Sequence, residues 1–445
     1  MAPVREAMFA LAHPRDVVWR PRPADVLFVS DSIRKVQVDG RWRDRLCGPV
    51  ADTLASMERS SLAVELGPRY LAPLERPGLH LAAMTRTALL RGEFRVQFGA
   101  SAELYLPEYD AFIDLLQSYG VPPAGFSHRS LVRRAAMIEY VASRMEALLG
   151  RVRPRIVVQV YYYRIAGLAL NVACRRLGIL SVDLQHGIAG NTHDAYGRWM
   201  QVPEGGYPML PAVFWCWSPS DVEAIRNWSG AAPHWHDAVR GGNPSLMSWF
   251  DDQHPTTLAY DVAIRGRGDA TLNVLVTCQP KLVWKDMWDR LAGVVSSSPA
   301  HVRWWLRQHP ATMTGEGGRA GLDRLLALRG ANIVHDEASR YPLAALLRHA
   351  DVHLTATSSS ALEAAEMGVP TWFLVPDARA RYGELLDSGL AEMVDEPDEL
   401  AKRLALVKAR QPAAGRQAEL ATDLMGKTLK CLFDRAENYS FRPGA

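Results

Sequence analysis

The stretch that decides the fold runs from Leu354 to Val375 and reads LTATSSSALEAAEMGVPTWFLV. A hydroxyl-rich turn leads into a helical run from Ala361 to Met367, and Gly368 ends that run. A buried apolar strand, Thr371 to Val375, follows directly. This order of turn, helix and strand is typical of a parallel sheet with helices packed against it.

The start of this helix is a candidate anion site. A helix N-terminus carries unpaired backbone N–H groups and partial positive charge, and Ser358, Ser359 and Ser360 add hydroxyl donors there. Glu363 lies about one turn further along, where its carboxylate can accept a sugar hydroxyl. The functional hypothesis is a cradle for the phosphate and ribose of a nucleotide. The alternative is an ordinary serine cap, in which Ser360 and Glu363 form a capping box.

Length and composition limit the class of protein. The chain has 445 residues, which suggests two or three domains, and its 48% hydrophobic content indicates a globular protein. A formal charge of +3 is too small to make nucleic-acid binding the default expectation. The five cysteines are widely separated and form no Cys-x-x-Cys pair, which favours a reducing compartment over a disulfide framework.

The sequence also carries information about location. The N-terminal segment lacks an apolar core long enough for a signal peptide, and no segment reaches the ~20 apolar residues that a membrane-spanning helix needs. We therefore expect a cytoplasmic protein. Its pI near 8.6 permits weak peripheral attraction to the anionic inner face of the membrane.

The first half of the chain contains a β-α-β unit. A strand at Arg155–Tyr161, a helix at Ala166–Leu177 and a strand at Ile179–Leu184 follow one another, which predicts a doubly wound parallel sheet. An earlier strand, Asp25–Ser30, precedes the charged segment Arg34–Arg45, which we interpret as a long loop over a strand end. We predict that residues 1–245 form one Rossmann-like domain.

The pattern breaks after this domain and then restarts. Residues 246–270 carry few helix or strand signals, and we predict that they form the linker. Residues 271–418 alternate strands and helices again, which predicts a second Rossmann-like domain. The last segment, 419–445, is expected to be a helix that packs back across both domains.

The second domain contains further candidate binding residues. Arg307, His309 and Pro310 follow the strand Val302–Leu306, at the carboxyl edge where doubly wound sheets bind ligands. The His309 imidazole can donate to a phosphate oxygen, and it is expected to share this edge with the serine cluster. Glu337 ends the intervening strand and is a candidate for a base or ribose contact. The alternatives are a loop histidine bonded to backbone and a solvated loop glutamate.

Candidate catalytic residues lie in the first domain. His186 follows the strand Ile179–Leu184, where a neutral imidazole can act as general base on a hydroxyl group. A buried turn histidine is an alternative of equal weight. Asp31, Asp39 and Asp194 are candidates to orient His186 or to replace it. An aspartate before glycine, as Asp39 is, is commonly just a turn residue.

No metal or cofactor site is predicted. His234 and His236 lie two residues apart, but no third ligand at a recognisable spacing accompanies them, so we favour a plain loop. The sequence has no Walker loop and no G-x-G-x-x-G, H-E-x-x-H or G-x-S-x-G motif.

The order of three motifs resembles the GT-B glycosyltransferases of bacterial surface polysaccharides. The motifs are Gln185-His186-Gly187, Arg307-x-His309-Pro310, and Ser358-Ser359-Ser360 with Glu363. They are most similar to the group that includes capsule Kdo transferases, bacterial sialyl- and polysialyltransferases, and CDP-glycerol glycerophosphotransferases. The resemblance implies that His309, Pro310 and the serines bind the phosphate of a cytidine nucleotide, and that His186 acts in catalysis or on the acceptor side. Sialyltransferases of this type carry a paired acidic motif before glycine, and here only Val38-Asp39-Gly40 comes close.

The resemblance implies an α/β protein of GT-B fold, with two Rossmann-like domains and a cleft between them. The implied activity is metal-independent transfer of a sugar from a CMP-linked donor, such as CMP-Kdo or CMP-sialic acid, to a glycan or glycolipid acceptor. The second domain would bind the donor and the first the acceptor, in capsule or lipopolysaccharide synthesis. Two rivals stay open. One is a UDP- or GDP-sugar transferase or epimerase of the same fold, and the other is a non-catalytic partner of an assembly complex.

Overall fold

Two parallel sheets organise the chain into two lobes. The computed structural model describes residues 8, 9, 11–18, 20–67, 70–81, 84, 87, 90, 91, 94, 107–191, 193–197, 199–265, 272–279, 287–309, 319–328, 332–394, 396–408 and 416–439. The strands, in chain order, are β1 Val26–Ser30, β2 Lys35–Val38, β3 Arg41–Asp44, β4 Ser61–Glu65, β5 Gly78–His80, β6 Ile156–Gln159, β7 Leu180–Leu184, β8 Val213–Cys216, β9 Asp237–Arg240, β10 Leu272–Thr277, β11 Val302–Arg307, β12 Asn332–Val334, β13 Val352–Thr355, β14 Thr371–Phe373 and β15 Ala391–Met393.

Helices connect most of these strands. The α-helices, in chain order, are α1 Cys47–Ser56, α2 Tyr109–Ser118, α3 His128–Val152, α4 Ile165–Arg176, α5 Pro219–Ser229, α6 Pro255–Arg265, α7 Met287–Ser297, α8 Arg319–Leu326, α9 Asp336–Arg340, α10 Leu343–His349, α11 Ser360–Glu366, α12 Ala378–Arg381, α13 Gly383–Asp387, α14 Pro397–Leu404 and α15 Arg416–Asn438. Short 3₁₀ helices lie at Ser32–Arg34, Pro123–Phe126 and Pro244–Trp249.

Strand order shows that both sheets are doubly wound. The first sheet runs β5-β4-β1-β6-β7-β8-β9 and the second runs β12-β11-β10-β13-β14-β15, with parallel pairing throughout. The chain reverses direction across the sheet between β1 and β6 in the first lobe, and between β10 and β13 in the second. Such switch points leave a crevice at the carboxyl ends of the strands, where ligands bind. The prediction of two Rossmann-like domains is confirmed.

Burial on both faces explains the near-continuous apolar strands. In β1, Val26 and Phe28 pack into one hydrophobic cluster, whereas Leu27 and Val29 pack into the cluster on the opposite face. In β10, Val274 and Leu275 are divided between two clusters in the same way. Each sheet is therefore covered by helices on two sides, and the strand ends are left to form the site.

The segment predicted to be the linker is largely helical where the structure describes it, although its sequence carries few helix signals. It contains the 3₁₀ helix Pro244–Trp249 and helix α6. Leu246, Trp249 and Phe250 are buried in the cluster of the second lobe that contains Leu275. These apolar side chains do not follow a clear helical period in the sequence, and their burial against the second lobe stabilises the helical turns.

The C-terminal helix α15 returns to the first lobe. Its side chains Met425, Leu429 and Leu432 are buried in the cluster beneath β1 and β6. The hydroxyl of Thr428 donates to the carbonyl of Arg240 at 2.9 Å. Helix α15 thus packs against the first lobe. Across the ranges given above, no helix combines the length and apolar character needed to cross a membrane.

Candidate functional site

A cavity of about 500 Å³ lies between the two lobes at their switch points. The first lobe contributes the turn after β1, the β2–β3 hairpin and Tyr161 after β6. The second lobe contributes side chains that follow or end β10, β11 and β13. The sequence-predicted residues that line the cavity are Arg307, His309, Ser358, Ser359, Ser360 and Glu363. Its volume lies within the range of small-molecule binding sites.

The serine turn does not form the capping box that was the alternative interpretation. The Ser360 hydroxyl lies 2.9 Å from Oγ1 of Thr277 and 3.2 Å from Nε2 of His353, so it points into the sheet. Helix α11 has no side-chain cap at Ser359. The Ser358 hydroxyl accepts a hydrogen bond from the Ser360 N–H at 3.3 Å. A buried network of neutral groups thus holds the turn in place.

Glu363 joins the two lobes. Its Oε1 accepts a hydrogen bond from Nη1 of Arg45 at 2.5 Å and one from the Ser245 hydroxyl at 3.0 Å. The carboxylate is buried and lines the cavity. Its predicted contact with a sugar hydroxyl stays a prediction, because Oε1 already has two donors and only the remaining oxygen is available for another.

Guanidinium groups whose charge is only partly balanced by nearby carboxylates face the cavity from both lobes. Burial, with the charge of Arg45 as the second cause, lowers the pKa of Arg34 to about 10. The same two causes lower the pKa of Arg307 to about 10. The partners of Arg307 are the carbonyls of Ala338 at 2.7 Å and Tyr341 at 2.5 Å, which are neutral acceptors. These cations therefore repel one another, and a bound anion would relieve that repulsion.

Arg34 was not singled out from the sequence, yet it is central to this wall of the cavity. Its guanidinium packs over the ring of Tyr161, 4.4 Å from the ring centroid, and its Nε is buried without a hydrogen-bond partner. The signal that could have identified it is its position, since it ends the short 3₁₀ turn that follows the first strand of a doubly wound sheet.

His309 faces these cations from the second lobe. Burial lowers its pKa below 6.5, and the charges of Arg34 and Arg307 lower it further, so the imidazole is neutral at pH 7. A neutral imidazole can still donate one hydrogen bond to a phosphate oxygen. Pro310 lies outside the described residues. Glu337 belongs to α9 and is absent from the described lining, whereas its neighbour Ser339 lines the cavity.

His186 lies one side chain behind the cavity wall. Its ring centroid is 4.1 Å from that of Tyr161, which lines the cavity, and its Nε2 is 3.1 Å from the Tyr163 hydroxyl. Nδ1 is buried and has no hydrogen-bond partner. Burial, and then the charge of Arg34, hold the pKa of His186 far below 6.5, so the ring is neutral.

The turn that carries His186 meets the serine turn of the other lobe. A Cβ added at Gly187 would lie 3.2 Å from the Ser359 hydroxyl. The absence of a side chain at Gly187 therefore allows the two motifs to approach closely. The topology brings the Gln-His-Gly and serine motifs together, although they come from different sheets.

Asp31 and Asp39 lie outside the described lining of the cavity. Asp31 accepts from the Ile33 N–H at 3.2 Å and pairs with Arg164 at 3.0 Å, so it caps the turn after β1. Asp39 is exposed and has φ of +49°, followed by Gly40 at +74°. These angles form the two-residue loop of the β2–β3 hairpin. Their catalytic roles stay predictions.

The charged segment predicted to be a loop over a strand end is this hairpin. Its location was predicted correctly and its form was not. Asp39-Gly40, flanked by alternating residues, is the standard short-range hairpin signal. The hairpin lines the cavity and also contacts α6, since the Tyr260 hydroxyl donates to the carbonyl of Gln37 at 3.1 Å.

In the histidine pair near β9, the ring of His236 is bonded to backbone groups. Nε2 of His236 accepts from the Tyr207 N–H at 2.8 Å, and Nδ1 donates to the Pro211 carbonyl at 2.8 Å. Within the portion of the chain that the structure describes, no group of three or more His, Cys, Asp or Glu side chains is placed to hold a metal ion.

A buried carboxyl group anchors the loop in front of His186. Oδ1 of Asp183 accepts from the Tyr162 N–H at 3.1 Å, and Oδ2 accepts from the Tyr196 hydroxyl at 2.7 Å. Burial raises the pKa of Asp183 from 3.8 to about 7, against the opposite effect of these two hydrogen bonds. The folded protein therefore keeps a proton here that the unfolded chain loses.

We expect the free energy of unfolding to fall as pH rises through this range. Above pH 5, Asp183 is already ionised in the unfolded chain but still protonated in the folded protein. Raising the pH from 5 to 7 therefore lowers its contribution to the free energy of unfolding by about 2 kcal/mol. In Asp183→Asn this contribution is absent and the decline should be smaller by that amount. Urea denaturation at both pH values measures it, with Asp114→Asn on the exposed face of α2 as control. An unchanged decline in Asp183→Asn would contradict the assignment.

Comparisons with known proteins place the fold. No family model and no curated protein matches the chain. Among solved structures, UDP-GlcNAc 2-epimerase from Neisseria meningitidis, bound to UDP-GlcNAc, is similar with a TM-score of 0.52 and 12% identity, over 91% of this chain and 99% of the other. The S. aureus MnaA–UDP structure is similar with a TM-score of 0.52 and 9% identity, over 95% and 100%. The wall teichoic acid polymerase TagF gives a TM-score of 0.48 at 12% identity, over 98% of each chain.

Identities of this size show the fold alone. The matches extend over nearly the whole chain and both lobes, in agreement with the two doubly wound sheets and the cavity between them. The chain therefore has the GT-B fold, as its motif order implied.

Proposed function

We propose that the protein transfers a sugar from a nucleotide-activated, CMP-linked donor to a glycan or glycolipid acceptor of the bacterial surface. The observation that carries the proposal is the charge of the cavity. Among its described lining residues, Glu363 is the one carboxylate, whereas the cationic residues are Arg34, Lys35, Arg43, Arg45, Arg307 and Arg340. Among the described contacts, Lys35, Arg43 and Arg45 pair with carboxylates, whereas Arg307 and Arg340 donate to backbone carbonyls and Nε of Arg34 has no partner. A ligand with negative charges, such as a nucleotide phosphate, fits these remaining cations.

Hydrogen-bond donors support the placement of the donor phosphate. His309 and the serine turn Ser358–Ser360 line the same cavity in the second lobe, and the charge of Arg34 in the first lobe lies close enough to lower the pKa of His309. A phosphate between these groups would receive hydrogen bonds from fixed donors and the field of the guanidinium groups. Such preorganised donors stabilise the charge that develops on a leaving phosphate.

The proton of the acceptor hydroxyl would pass to His186. Its neutral ring, with an unpartnered Nδ1, is chemically able to accept a proton. The ring of Tyr161 separates His186 from the cavity, so this role requires the Tyr161 ring to shift when the acceptor binds. Catalysis in this scheme uses no metal ion.

A UDP-sugar transferase or epimerase is the second candidate. Two structures of similar fold are named for complexes with UDP-GlcNAc and with UDP, and one of them is named as an epimerase. The cavity charge suits a uridine diphosphate as well as a cytidine monophosphate, since both are anions. The resemblance of the His-Pro and serine motifs to those of the cytidine-nucleotide transferases favours the cytidine nucleotide.

Isothermal titration with CMP, CDP, UDP and GDP tests the proposal. We expect CMP to bind most tightly to the wild-type protein. His309→Ala should weaken it by about 10- to 100-fold, because one hydrogen bond to a charged group is lost. The matched control is His301→Ala, an exposed histidine at the opposite end of the same strand. Preference for UDP would favour the second candidate, and binding of none of the four would support a non-catalytic partner instead.

A further inference from the structure

Tyr161, which follows strand β6, has a backbone conformation that its residue type disfavours. Its φ is +75°, in the left-handed region that suits glycine and is sterically costly for a residue with a side chain. Among the described non-glycine residues with positive φ, Tyr161 is the one that lines the cavity between the lobes. Strain of this kind persists where the surrounding structure enforces it, commonly at functional sites, so the position of this ring requires an explanation.

Two arginines hold the ring in place. The guanidinium carbon of Arg34 lies 4.4 Å from the ring centroid of Tyr161, and that of Arg164 lies 4.3 Å from it. Arg34 lines the cavity, whereas Arg164 is exposed and pairs with Asp31 at 3.0 Å. Each contact is a cation–π interaction, which stabilises the ring in its position.

The backbone around Tyr161 is fixed as well. A Cβ added at Gly167, in the first turn of α4, would lie 2.6 Å from the carbonyl oxygen of Tyr161 and 2.5 Å from that of Tyr162, so glycine is needed for this approach. The N–H of Tyr162 also donates to Oδ1 of the buried Asp183 at 3.1 Å. The helix and the sheet therefore fix the chain at this turn, and the part that is able to move is the Tyr161 side chain.

The Tyr161 ring covers His186. Their ring centroids lie 4.1 Å apart, and Nδ1 of His186 is buried without a hydrogen-bond partner. Nε2 of His186 lies 3.1 Å from the Tyr163 hydroxyl, so each ring nitrogen is either buried or bonded. The chain thus keeps a strained residue at the place where its ring separates a neutral base from the cavity.

Water competes with the acceptor for the donor sugar. If His186 met water while the donor was bound, the water oxygen would form a bond to the anomeric carbon as the bond from that carbon to the phosphate oxygen breaks. The water proton would pass to His186, and CMP would leave with the bonding electron pair. Excluding water from a reactive site prevents this side reaction. A ring that covers His186 until an acceptor displaces it therefore favours transfer over hydrolysis.

We propose that Tyr161 determines the specificity of the transfer for an acceptor hydroxyl over water, because its ring covers His186 until the acceptor displaces it. This proposal rests on the proposed function for the role of His186. The covering of His186 is independent of any activity and can be measured on the bare protein.

Diethyl pyrocarbonate, which modifies accessible neutral imidazoles, tests the covering on the full chain, with the modified peptides quantified by mass spectrometry. Tyr161→Gly removes the ring and tolerates the positive φ, so His186 should react about tenfold faster or more in this variant than in the wild-type protein. Tyr161→Phe keeps the ring, and its His186 should react as slowly as in the wild type. His301, exposed in the second lobe, is the internal reference, and its rate should be the same in all three proteins.

Equal reactivity of His186 in the wild-type protein and in Tyr161→Gly would overturn the proposal. An equal rise at His193 would also count against it, because the ring of His193 lies 5.6 Å from that of Tyr163, in the same aromatic cluster. Such a rise would show that the substitution loosens the whole cluster instead of uncovering His186.

Release of CMP from CMP-sialic acid, measured without acceptor, tests the specificity. Tyr161→Gly should release CMP about tenfold faster than the wild-type protein, and the double variant Tyr161→Gly/His186→Ala should lose that increase. Tyr119→Gly, at a tyrosine that is 79% exposed, is the matched control and should release CMP at the wild-type rate. An unchanged rate in Tyr161→Gly, or an increase that persists in the double variant, would overturn the proposal. Release of no CMP by any of these proteins, from CMP-sialic acid or CMP-Kdo, would count against the proposed function, and the labelling of His186 would still decide whether Tyr161 covers it.

Discussion

His186→Ala is expected to lower turnover by about 10²- to 10⁴-fold, the usual contribution of a general base, while nucleotide affinity stays unchanged. The imidazole lies behind Tyr161 and outside the described lining of the cavity, so its removal should not touch the bound nucleotide. Its proposed role is only to accept the proton of the acceptor hydroxyl. We therefore expect kcat to fall while the Kd for CMP is unchanged. Transfer assays and isothermal titration on the same preparation measure the two effects.

A nearby histidine provides the control for this substitution. The ring of His193 lies 5.6 Å from that of Tyr163, in the same aromatic cluster, and burial lowers its pKa as well. If loss of packing were the cause, His193→Ala would reduce turnover to a similar extent. An equal loss of nucleotide affinity in His186→Ala and His309→Ala would contradict the division of roles between the two lobes.

Arg348→Ala is expected to lower the free energy of unfolding by about 3–5 kcal/mol, because it removes the buried cation that neutralises Asp261, which then keeps His349 at 2.7 Å as its near partner. The Arg348 side chain is 4% exposed and binds Asp261 at 2.8 Å and Asp252 at 2.9 Å. Its Nη1 also donates to the Trp249 carbonyl at 2.6 Å. One guanidinium thus ties α10 to α6 and to the segment between the lobes.

A half-buried arginine whose carboxylate partners are exposed is the control. Arg403 pairs with Glu399 at 2.6 Å, and its side chain is 32% exposed. Exposed pairs contribute about 0–1 kcal/mol, so Arg403→Ala should have little effect in urea denaturation. Comparable losses from both substitutions would show that the Arg348 network does not stabilise the fold more than an exposed ion pair does.

Sequence periodicity was sufficient to predict the strands of both sheets, but not all of the segments that connect them. Apolar runs such as Val26–Ser30 and Val302–Arg307 are buried on both faces, so their strands could be recognised without tertiary information. The linker helix α6 could not, since its neighbours Leu246 and Trp249 are buried only against the second lobe. Hydrophobic periodicity predicts which residues of a segment are buried within its own lobe. It does not predict burial against a lobe formed by residues later in the chain.

Only part of the candidate site could be predicted from the sequence. Topology alone brings His309 and the serine turn to one edge, because both follow strands of one parallel sheet. Arg45 and Glu363 are 318 residues apart in the chain, and no local signal relates them. The contributions of Arg34 and Tyr161 depend on how the two lobes face each other, which only the assembled fold provides.

The most direct test of the central claim is a crystal structure of the protein with CMP bound. The account predicts that the phosphate lies in the cavity between the lobes, within hydrogen-bond distance of His309 and of the turn Ser358–Ser360, with Arg34 facing it from the first lobe. A nucleotide bound elsewhere, or a phosphate that contacts neither His309 nor the serine turn, would contradict it.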